Sequence, residues 1–409
     1  MHGNRLSRLL VLAALLAAVA ALSAAASSAR STPSAAPNAP AAARGSGDVN
    51  VGIVYSRTGL LAAYGAQYVQ GLRFGIAYAT KGTGRAGGRK INLTLVDDAG
   101  DPAKAVTAAK DLIGRGYKII AGTASSGVAL QLAPLADQNK ILYISGPAAS
   151  DAITGINRYT FRSGRQTYQD VATADAFLTG VGRKIVVFAQ DTVFGAGNAA
   201  AVTAVLGGKG HTVTRILVPL TASDFTPFAQ QVKQANPDLL FVAWAGTTGP
   251  AMWRALDQQG VFGVSNKVVT GLAERATWEP AFGDVASKIS FLSHYVSTAP
   301  KTKANDFLVA AMKKRNQVPD LFTPDGFVAG QMLVRAIERS GGGENVDAMI
   351  SALEGWSFFA PKGQQTIRRR DHAMLQPMFQ VKLVRKAGKY TPQLLKQLKV
   401  TQVAPPERR

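Results

Sequence analysis

From residue 50 onward, short runs of β-branched and other apolar residues alternate with segments of helical periodicity, and no other feature constrains the fold of this chain as strongly. In the first series, predicted helices follow strands in regular order. The predicted strands are Val51–Tyr55, Ile91–Val96, Lys118–Ala121 and Ile141–Ser145. Strands that alternate with helices in this way predict a parallel, doubly wound sheet with helices on both faces.

The same alternation restarts after residue 165. The predicted strands of this second series are Lys184–Ala189, Thr212–Pro219, Leu239–Ala243 and Lys267–Thr270. A second series implies a second sheet, so the fold class predicted is α/β with two doubly wound, Rossmann-like lobes. Two lobes leave a cleft between them, which is a common place for a small-ligand site.

The N-terminal residues predict export. Arg5 and Arg8 precede an apolar run from Leu9 to Ala26, and small residues follow, as in a cleaved signal peptide over residues 1–26. A retained membrane anchor is the alternative, because the run approaches the roughly 20 residues that span a bilayer. Residues 27–48 are rich in Ala, Ser and Pro and predict a disordered tether. The chain has no Cys, so we expect an exported protein that is not a lipoprotein.

The net charge of +21 raises the question of an acidic partner. Four arginines and no acid fall in residues 1–47, so the remaining chain carries +17. The aromatic residues do not interleave with this charge as a stacking platform for nucleic acid requires. We therefore expect no nucleic acid, and consider electrostatic association with an anionic cell envelope, or simple solubility, as the role of the charge.

Enzymatic motifs are missing or out of context. Gly82-x-Gly84-x-x-Gly87 has the letters of a dinucleotide fingerprint, but it follows a helix and precedes a strand, the reverse of the order that the mechanism needs. There is neither a Walker A sequence nor a G-x-S-x-G elbow. Three histidines are isolated in sequence: His211, His294 and His372. We expect no enzyme activity, no metal site and no cofactor.

The order of the segments resembles a known family, the type I periplasmic solute-binding proteins of ABC transporters, specifically the branched-chain amino-acid (Leu/Ile/Val) binding group. The likeness runs from residue 49 to about 385. Its motifs are Thr58–Gly65, Val96-Asp97-Asp98-x-x-Asp101-Pro102-x-x-Ala105, Ser125-Ser126-Gly127, Ile144–Ser150, Asp191-x-x-Phe194-Gly195, Asp224-Phe225, and Asp371-His372 with Pro377. Each motif is weak alone, but the seven occur in the family's order.

The resemblance implies particular lobe boundaries. Residues 49–165 and 298–355 would form lobe 1, and residues 166–297 and 356–400 would form lobe 2. Three crossovers near residues 165, 297 and 356 would form the hinge of a "Venus flytrap" that closes over its ligand. The family likeness also implies a monomer that delivers its solute to a membrane permease.

One end of the expected ligand site follows from local physics. Ser125 and Ser126 lie between a predicted strand and the first turn of a helix, where unpaired N–H groups and the helix dipole favour an anion. The alternative is that one of these serines only caps the helix. The resemblance implies a ligand carboxylate here, with a backbone N–H from Ala148. It also implies a side-chain contact from the position that falls on Ala149 or on Ser150.

The resemblance places four further residues around the ligand. Phe194 takes an aromatic turn position, with core packing as the alternative, and Trp244 ends a strand where it could stack on a ligand or fill the core. Tyr64 matches an aromatic gate, and a partly buried surface tyrosine is its alternative. Glu274 lies near the family's partner for a ligand ammonium. It could instead be a solvated loop acid paired with Arg275, in which case the solute could lack an ammonium.

The function expected is the extracytoplasmic substrate-binding component of an ABC uptake transporter. The ligand would be a small amino acid of branched-chain type, or a related amide or carboxylate. A sensory receptor domain of the same fold, signalling to a membrane partner, is the alternative.

Overall fold

The computed structural model describes residues 47–408. The predicted signal peptide, and all of the predicted tether except residues 47 and 48, lie outside this range. The described chain forms two sheet-based lobes and a small third sheet. The predicted α/β fold with two doubly wound lobes is confirmed.

The first lobe is built on a six-stranded sheet in the order β2-β3-β1-β4-β5-β6. All pairs are parallel except the hairpin of β2 and β3. The strands are β1 (Val49–Tyr55), β2 (Arg85–Ala86), β3 (Arg89–Asp97), β4 (Ile119–Gly122), β5 (Leu142–Ser145) and β6 (Thr160–Arg162). Strands β4 and β5 are buried on both faces, as continuous apolar runs are in parallel sheets. The strand order changes direction between β1 and β4, which is where such sheets bind ligands.

The second lobe is built on a seven-stranded sheet in the order β16-β15-β11-β10-β9-β7-β8. Its strands are β7 (Lys184–Gln190), β8 (Thr212–Val218), β9 (Leu239–Ala243), β10 (Lys267–Gly271), β11 (Ile289–Ser293), β15 (Met378–Lys386) and β16 (Lys389–Leu398). The first five are parallel, and the last two add an antiparallel hairpin at one edge. Here the order changes direction between β7 and β9.

Helices cover both faces of each large sheet. They are α1 (Ala62–Ala79), α2 (Pro102–Gly114), α3 (Ser126–Asn139), α4 (Thr167–Asp175), α5 (Val193–Val205), α6 (Thr226–Ala235), α7 (Gly249–Gln258), α8 (Val261–Val264), α9 (Lys303–Lys313), α10 (Thr323–Arg339), α11 (Val346–Leu353) and α12 (Val400–Val403). Helix α2 begins as the sequence predicts, because Asp101 accepts from the N–H of Ala103 at 2.7 Å and Pro102 follows it. Among the described helices, none combines the length and hydropathy that crossing a membrane needs.

The third sheet corrects one predicted boundary. It consists of β12 (Ser357–Ala360), β13 (Gly363–Ile367) and β14 (Met374–Leu375). Its apolar side chains Phe358, Ile367 and Met374 belong to the core of the first lobe, not the second. The prediction that lobe 2 resumes at residue 356 is therefore wrong, because the chain returns to the second sheet only after β14.

The chain passes between the lobes at three places. The segment 163–166 joins β6 to α4, the segment 294–302 joins β11 to α9, and Gln376-Pro377 joins β14 to β15. A fourth link is not a crossover. Helix α12 packs on α4 of the second lobe, while Arg368 of the first lobe donates to the carbonyl oxygens of Pro405 (2.7 Å) and Pro406 (3.1 Å).

Buried polar side chains surround the hinge segments. Asp325, at the start of α10, lies 2.5 Å from the Nζ of Lys362 and 3.3 Å from the Nε2 of His294, and all three are buried. His294 belongs to the second crossover. Gly164 of the first crossover packs so closely that an added Cβ would lie 3.1 Å from the Asp325 carboxylate. The first and second crossovers therefore both pack against the buried carboxylate of Asp325.

The longest helix pair of the first lobe, α1 and α10, depends on glycines. A Cβ added to Gly71 would overlap the carbonyl oxygen of Thr323, and one added to Gly326 would overlap that of Tyr68. The absence of side chains lets the two backbones touch, and this holds the start of α10 against α1. Residues from both helices, including Leu72 and Met332, complete the first core.

We expect Gly71→Ala to lower the free energy of unfolding by about 2 kcal/mol, because the new methyl group must push two packed backbones apart. The measurement is urea unfolding followed by circular dichroism. Gly114→Ala is the matched control, since Gly114 is exposed at the end of helix α2 and an added Cβ there meets nothing within 4 Å. Equal unfolding midpoints for the two variants would contradict this account of the helix pair.

Candidate functional site

A cavity of about 340 Å³ lies between the lobes, at the carboxyl ends of both parallel sheets. Its first-lobe wall comes from the loops after β1, β3, β4 and β5, and its second-lobe wall comes from the loops after β7, β8 and β9. These are the loops beside the points where each strand order changes direction. Apolar side chains form much of the wall: Leu60, Leu61, Pro102, Val193, Leu220 and Phe322.

The first turn of α3 forms one end of the cavity. Ser125 is the N-cap residue, and its Oγ accepts from the N–H of Val128 at 3.4 Å. Ser126 is 3% exposed, and its Oγ accepts from the N–H of Ser150 at 3.2 Å, so its own O–H remains available to donate. The N–H groups of Ser126 and Gly127 have no hydrogen-bond partner among residues 47–408. Ser125 therefore caps the helix, as its alternative interpretation predicted. The N–H groups of Ser126 and Gly127 remain as donors at the cavity wall.

Asp98 fixes the loops around this helix start. Its carboxylate accepts from the Oγ of Ser56 (2.7 Å), the Oγ1 of Thr123 (2.6 Å) and the N–H of Gly100 (2.7 Å). These three partners follow β1, β4 and β3, so one buried side chain ties three strand ends together. Thr123 takes a positive φ of 66°, which turns the chain into the α3 cap.

The loop after β5 contributes Ala149 but neither of its neighbours to the cavity wall. Ala148 is buried in a small apolar cluster, and the backbone N–H of Ser150 is taken by Ser126. The guanidinium of Arg162 holds the loop by donating to the carbonyl oxygens of Ala148 (2.8 Å) and Ser150 (3.2 Å). Burial lowers the pKa of Arg162 to about 10. Of the three loop residues expected to contact the ligand, only Ala149 lines the cavity.

Arg165, in the first crossover, is a cavity residue for which the sequence predicted only a hinge role. Its side chain is 11% exposed and pairs with the buried carboxylate of Asp170 at 3.2 Å. Its Nη1 donates to the carbonyl oxygen of Pro147 at 3.1 Å, and its Nη2 has no partner within residues 47–408. The guanidinium lies 5.7 Å from the ring centroid of Phe322. Among residues 47–408, Arg165 is the one basic side chain in the cavity wall.

Aromatic rings close the opposite side. Tyr64 accepts from the N–H of Gly246 at 3.2 Å, a hydrogen bond between the lobes, and packs edge-on against Phe322. Trp244 lies 5.5 Å from Phe188 in a stacked arrangement, and its Nε1–H donates to the Oγ1 of Thr248 at 2.9 Å. Phe194 also lines the cavity while packing partly on the second core. Tyr64, Trp244 and Phe194 therefore all meet at the cavity.

Glu274 does not reach this cavity. It faces a separate space of about 30 Å³ behind Tyr64 and Trp244, and it is 7% exposed. Burial raises the pKa of Glu274. The alternative of a solvated acid paired with Arg275 is also wrong, because Arg275 instead lies 4.5 Å over the ring of Trp278. The acidic side chain that does line the main cavity is Asp191, which is exposed at its rim.

Comparison with known sequences fits this geometry. Residues 48–389, most of the chain, match the family described as periplasmic binding protein. The chain belongs to that family. It is a type I periplasmic solute-binding protein of ABC transporters, related in sequence to the Leu/Ile/Val-binding proteins, as the sequence motifs predicted.

Among similar proteins, the Leu/Ile/Val-binding protein BraC3 of Rhizobium johnstonii is 26% identical over 75% of this periplasmic binding protein and 83% of its own length. The crystal structure of an ABC-type branched-chain amino acid transporter protein from Rhodopseudomonas palustris is 33% identical, covering 88% of this chain and 99% of its own, with a TM-score of 0.72. A second R. palustris solute-binding protein, in complex with 3,4-dihydroxybenzoic acid, is 25% identical with a TM-score of 0.76, covering 87% and 98%.

Family membership carries three conclusions. The periplasmic binding protein is the solute-binding component of an ABC transporter, and members of its family bind small molecules and work with membrane permeases. They are not enzymes, so the prediction of a non-enzymatic protein is confirmed.

Proposed function

We propose that this periplasmic binding protein binds a small organic carboxylate with an apolar or aromatic body and no ammonium group. The observation that carries the proposal is the distribution of charge in the cavity wall. The start of α3 and the guanidinium of Arg165 offer donors to an anion, whereas the acid expected to bind an ammonium, Glu274, lies outside the wall. Of the similar proteins, the one with bound 3,4-dihydroxybenzoic acid has a ligand of this class.

An amino acid of branched-chain type is the second candidate. Asp191 supports it, because this carboxylate lines the rim and could meet an ammonium there. The names of the Leu/Ile/Val-binding relatives support it too. Against it stands the exposure of Asp191, since an ion pair in contact with water adds little affinity.

The proposed mechanism is closure about the hinge. The ligand carboxylate docks on the first lobe at Ser126 and Gly127, and the second lobe then covers it with Phe194 and Trp244. Closure is driven by ligand contacts with both lobes, because a ligand that contacts only one lobe does not favour the closed form. We further propose that the protein acts as an exported monomer, that Ser125 and Ala149 shape the carboxylate end, and that the closed form is what the permease binds.

Calorimetric titration with matched ligand pairs tests the proposal. Leucine and 4-methylpentanoate differ only in the α-ammonium, as do phenylalanine and 3-phenylpropanoate. We expect the deaminated acid of at least one pair to bind more tightly, and its uncharged amide to bind more weakly. Tighter binding of both amino acids would support the second candidate instead.

Ser126→Ala is expected to weaken binding of the best acid about tenfold, because one donor to the carboxylate is lost. The same titration measures it. Asn345→Ala is the matched control and should leave the affinity unchanged, since the Oδ1 of Asn345 accepts from the N–H of Ala348 to cap α11, outside the cavity wall. Unchanged affinity in Ser126→Ala would place the carboxylate elsewhere in the cavity.

A further inference from the structure

A second, much smaller cavity lies behind the aromatic wall of the main one. It measures about 30 Å³, room for about one water-sized group. Thr270, Gly271 and Ala281 contribute to its lining, together with Glu274. The other side of this space is formed by Tyr64 and Trp244, which also line the main cavity. The two cavities therefore share a wall made of two aromatic side chains.

The carboxylate of Glu274 is buried and has no ion-pair partner within the described residues, and its one side-chain hydrogen-bond partner is the hydroxyl of Tyr64. Its titratable neighbours are the hydroxyl of Tyr64 and the carboxylate of Asp320, neither of which supplies a positive charge. The nearest arginine in sequence, Arg275, directs its backbone N–H to Asp320 at 2.9 Å and its guanidinium to Trp278. In such a low-dielectric site, a carboxylate without a cation would attract an ammonium group strongly if one could reach it.

The part of the wall formed by Trp244 is rigid. Its indole is stacked on Phe188, meets Phe225 edge-on at 5.3 Å, and is held at Nε1 by Thr248. A side chain fixed on three sides does not swing away when a solute enters. In the structure as it stands, an ammonium group in the main cavity is separated from Glu274 by this ring.

We propose that Trp244 is a specificity-determining residue that excludes ammonium-bearing solutes by screening Glu274 from them. This inference rests on the proposed function, because it supplies the reason why a carboxylic acid is preferred to the matching amino acid. The chemistry that would pair an α-ammonium is present in the protein. The indole ring blocks contact between Glu274 and an ammonium group in the main cavity. Amino acids are therefore disfavoured because this contact is blocked, although the acidic side chain is present.

Trp244→Ala tests the proposal because it joins the two cavities. We expect the ratio of leucine affinity to 4-methylpentanoate affinity to rise at least tenfold in this variant, measured by calorimetric titration. Adding Glu274→Gln should return the ratio to its wild-type value, since the amide cannot form the ion pair. Trp244→Phe is the matched control, and it should keep the wild-type ratio because a ring remains in the wall.

If Trp244→Ala improves both ligands equally, the wall sets only cavity size and the proposal is overturned. If the ratio rises but survives Glu274→Gln, another group binds the ammonium, which also overturns it. Glu274→Gln alone should leave the binding of 4-methylpentanoate unchanged, a test that holds even if Trp244→Ala fails to fold. If wild-type protein already prefers leucine, it is the proposed function that fails.

Discussion

Lys362→Met is expected to lower the free energy of unfolding by about 3 kcal/mol, the largest effect on stability that we anticipate from a single side chain. Lys362 is fully buried, and its Nζ lies 2.5 Å from Asp325 and 3.5 Å from the carbonyl oxygen of Ser163. Although burial opposes ionisation, Lys362 and His294 hold the pKa of Asp325 well below its ordinary range. Removing the lysine leaves a buried carboxylate with a neutral neighbour, because burial lowers the pKa of His294.

The pH dependence of the Lys362→Met variant identifies the cause. Lys362 is one of the groups that lower the pKa of His294, whereas Asp325 raises it, so removing the lysine should raise the pKa of His294 relative to the wild-type protein. A higher histidine pKa in the folded variant favours its folding at low pH relative to wild type, and this relative gain is lost as the pH rises. The loss of unfolding free energy in the variant should therefore be smaller at about pH 5.5 than at about pH 7.5.

Two further variants control for loss of packing. Adding Asp325→Asn to Lys362→Met removes the uncompensated charge and should restore most of the lost stability. Lys382→Met, on an exposed strand position, should change the free energy of unfolding by no more than about 0.5 kcal/mol. Chemical denaturation at several pH values measures all of these. A deficit that is independent of pH would show that packing, not charge, dominates.

Ser126→Asp is expected to weaken binding of the preferred acid at least 100-fold, which corresponds to about 3 kcal/mol. The introduced carboxylate would occupy the donors at the start of α3 and would repel the ligand carboxylate at close range. The variant should nevertheless fold, because a negative charge in the first turn interacts favourably with the helix dipole. The N–H of Ser150, which donates to Ser126, retains an acceptor.

The neutral variant Ser126→Asn is the matched control, and it should lose much less affinity because it adds no charge. Thermal unfolding of both variants separates loss of binding from loss of fold. Raising the salt concentration should recover little affinity, since charges inside a closed cavity are weakly screened. Similar affinities for the two variants would indicate that the ligand presents no negative charge to α3.

Much of the fold could be predicted from the sequence because periodicity reports the type of element directly. The runs at Val51–Tyr55 and Leu239–Ala243 are strands in parallel sheets, as predicted. The placement of residues 357–375 could not be predicted in this way. These residues form an amphipathic antiparallel sheet, and nothing in their own pattern distinguishes which of two cores covers their apolar face.

The candidate site could likewise be predicted only in part from the sequence. Ser125 and Ser126 could be found because a strand end and a helix start meet there in sequence. Arg165 and Phe322 could not, because they come from segments far apart in the chain that meet only in the folded protein. Glu274 was misplaced for a related reason. The packing of Tyr64 and Trp244 separates it from the main cavity, and the sequence does not show how these two side chains pack.

The contacts of Pro405 and Pro406 with Arg368 affect how far the two halves of the molecule can travel. Three covalent connections set a pivot, but this fourth attachment joins the halves through hydrogen bonds and can detach. Wide separation must either stretch residues 399–404 or break these hydrogen bonds together with the one that the N–H of Arg408 donates to Asp371 at 3.0 Å. The extent to which the lobes can separate therefore depends on the hydrogen bonds of Pro405 and Pro406 as well as on the three hinge segments.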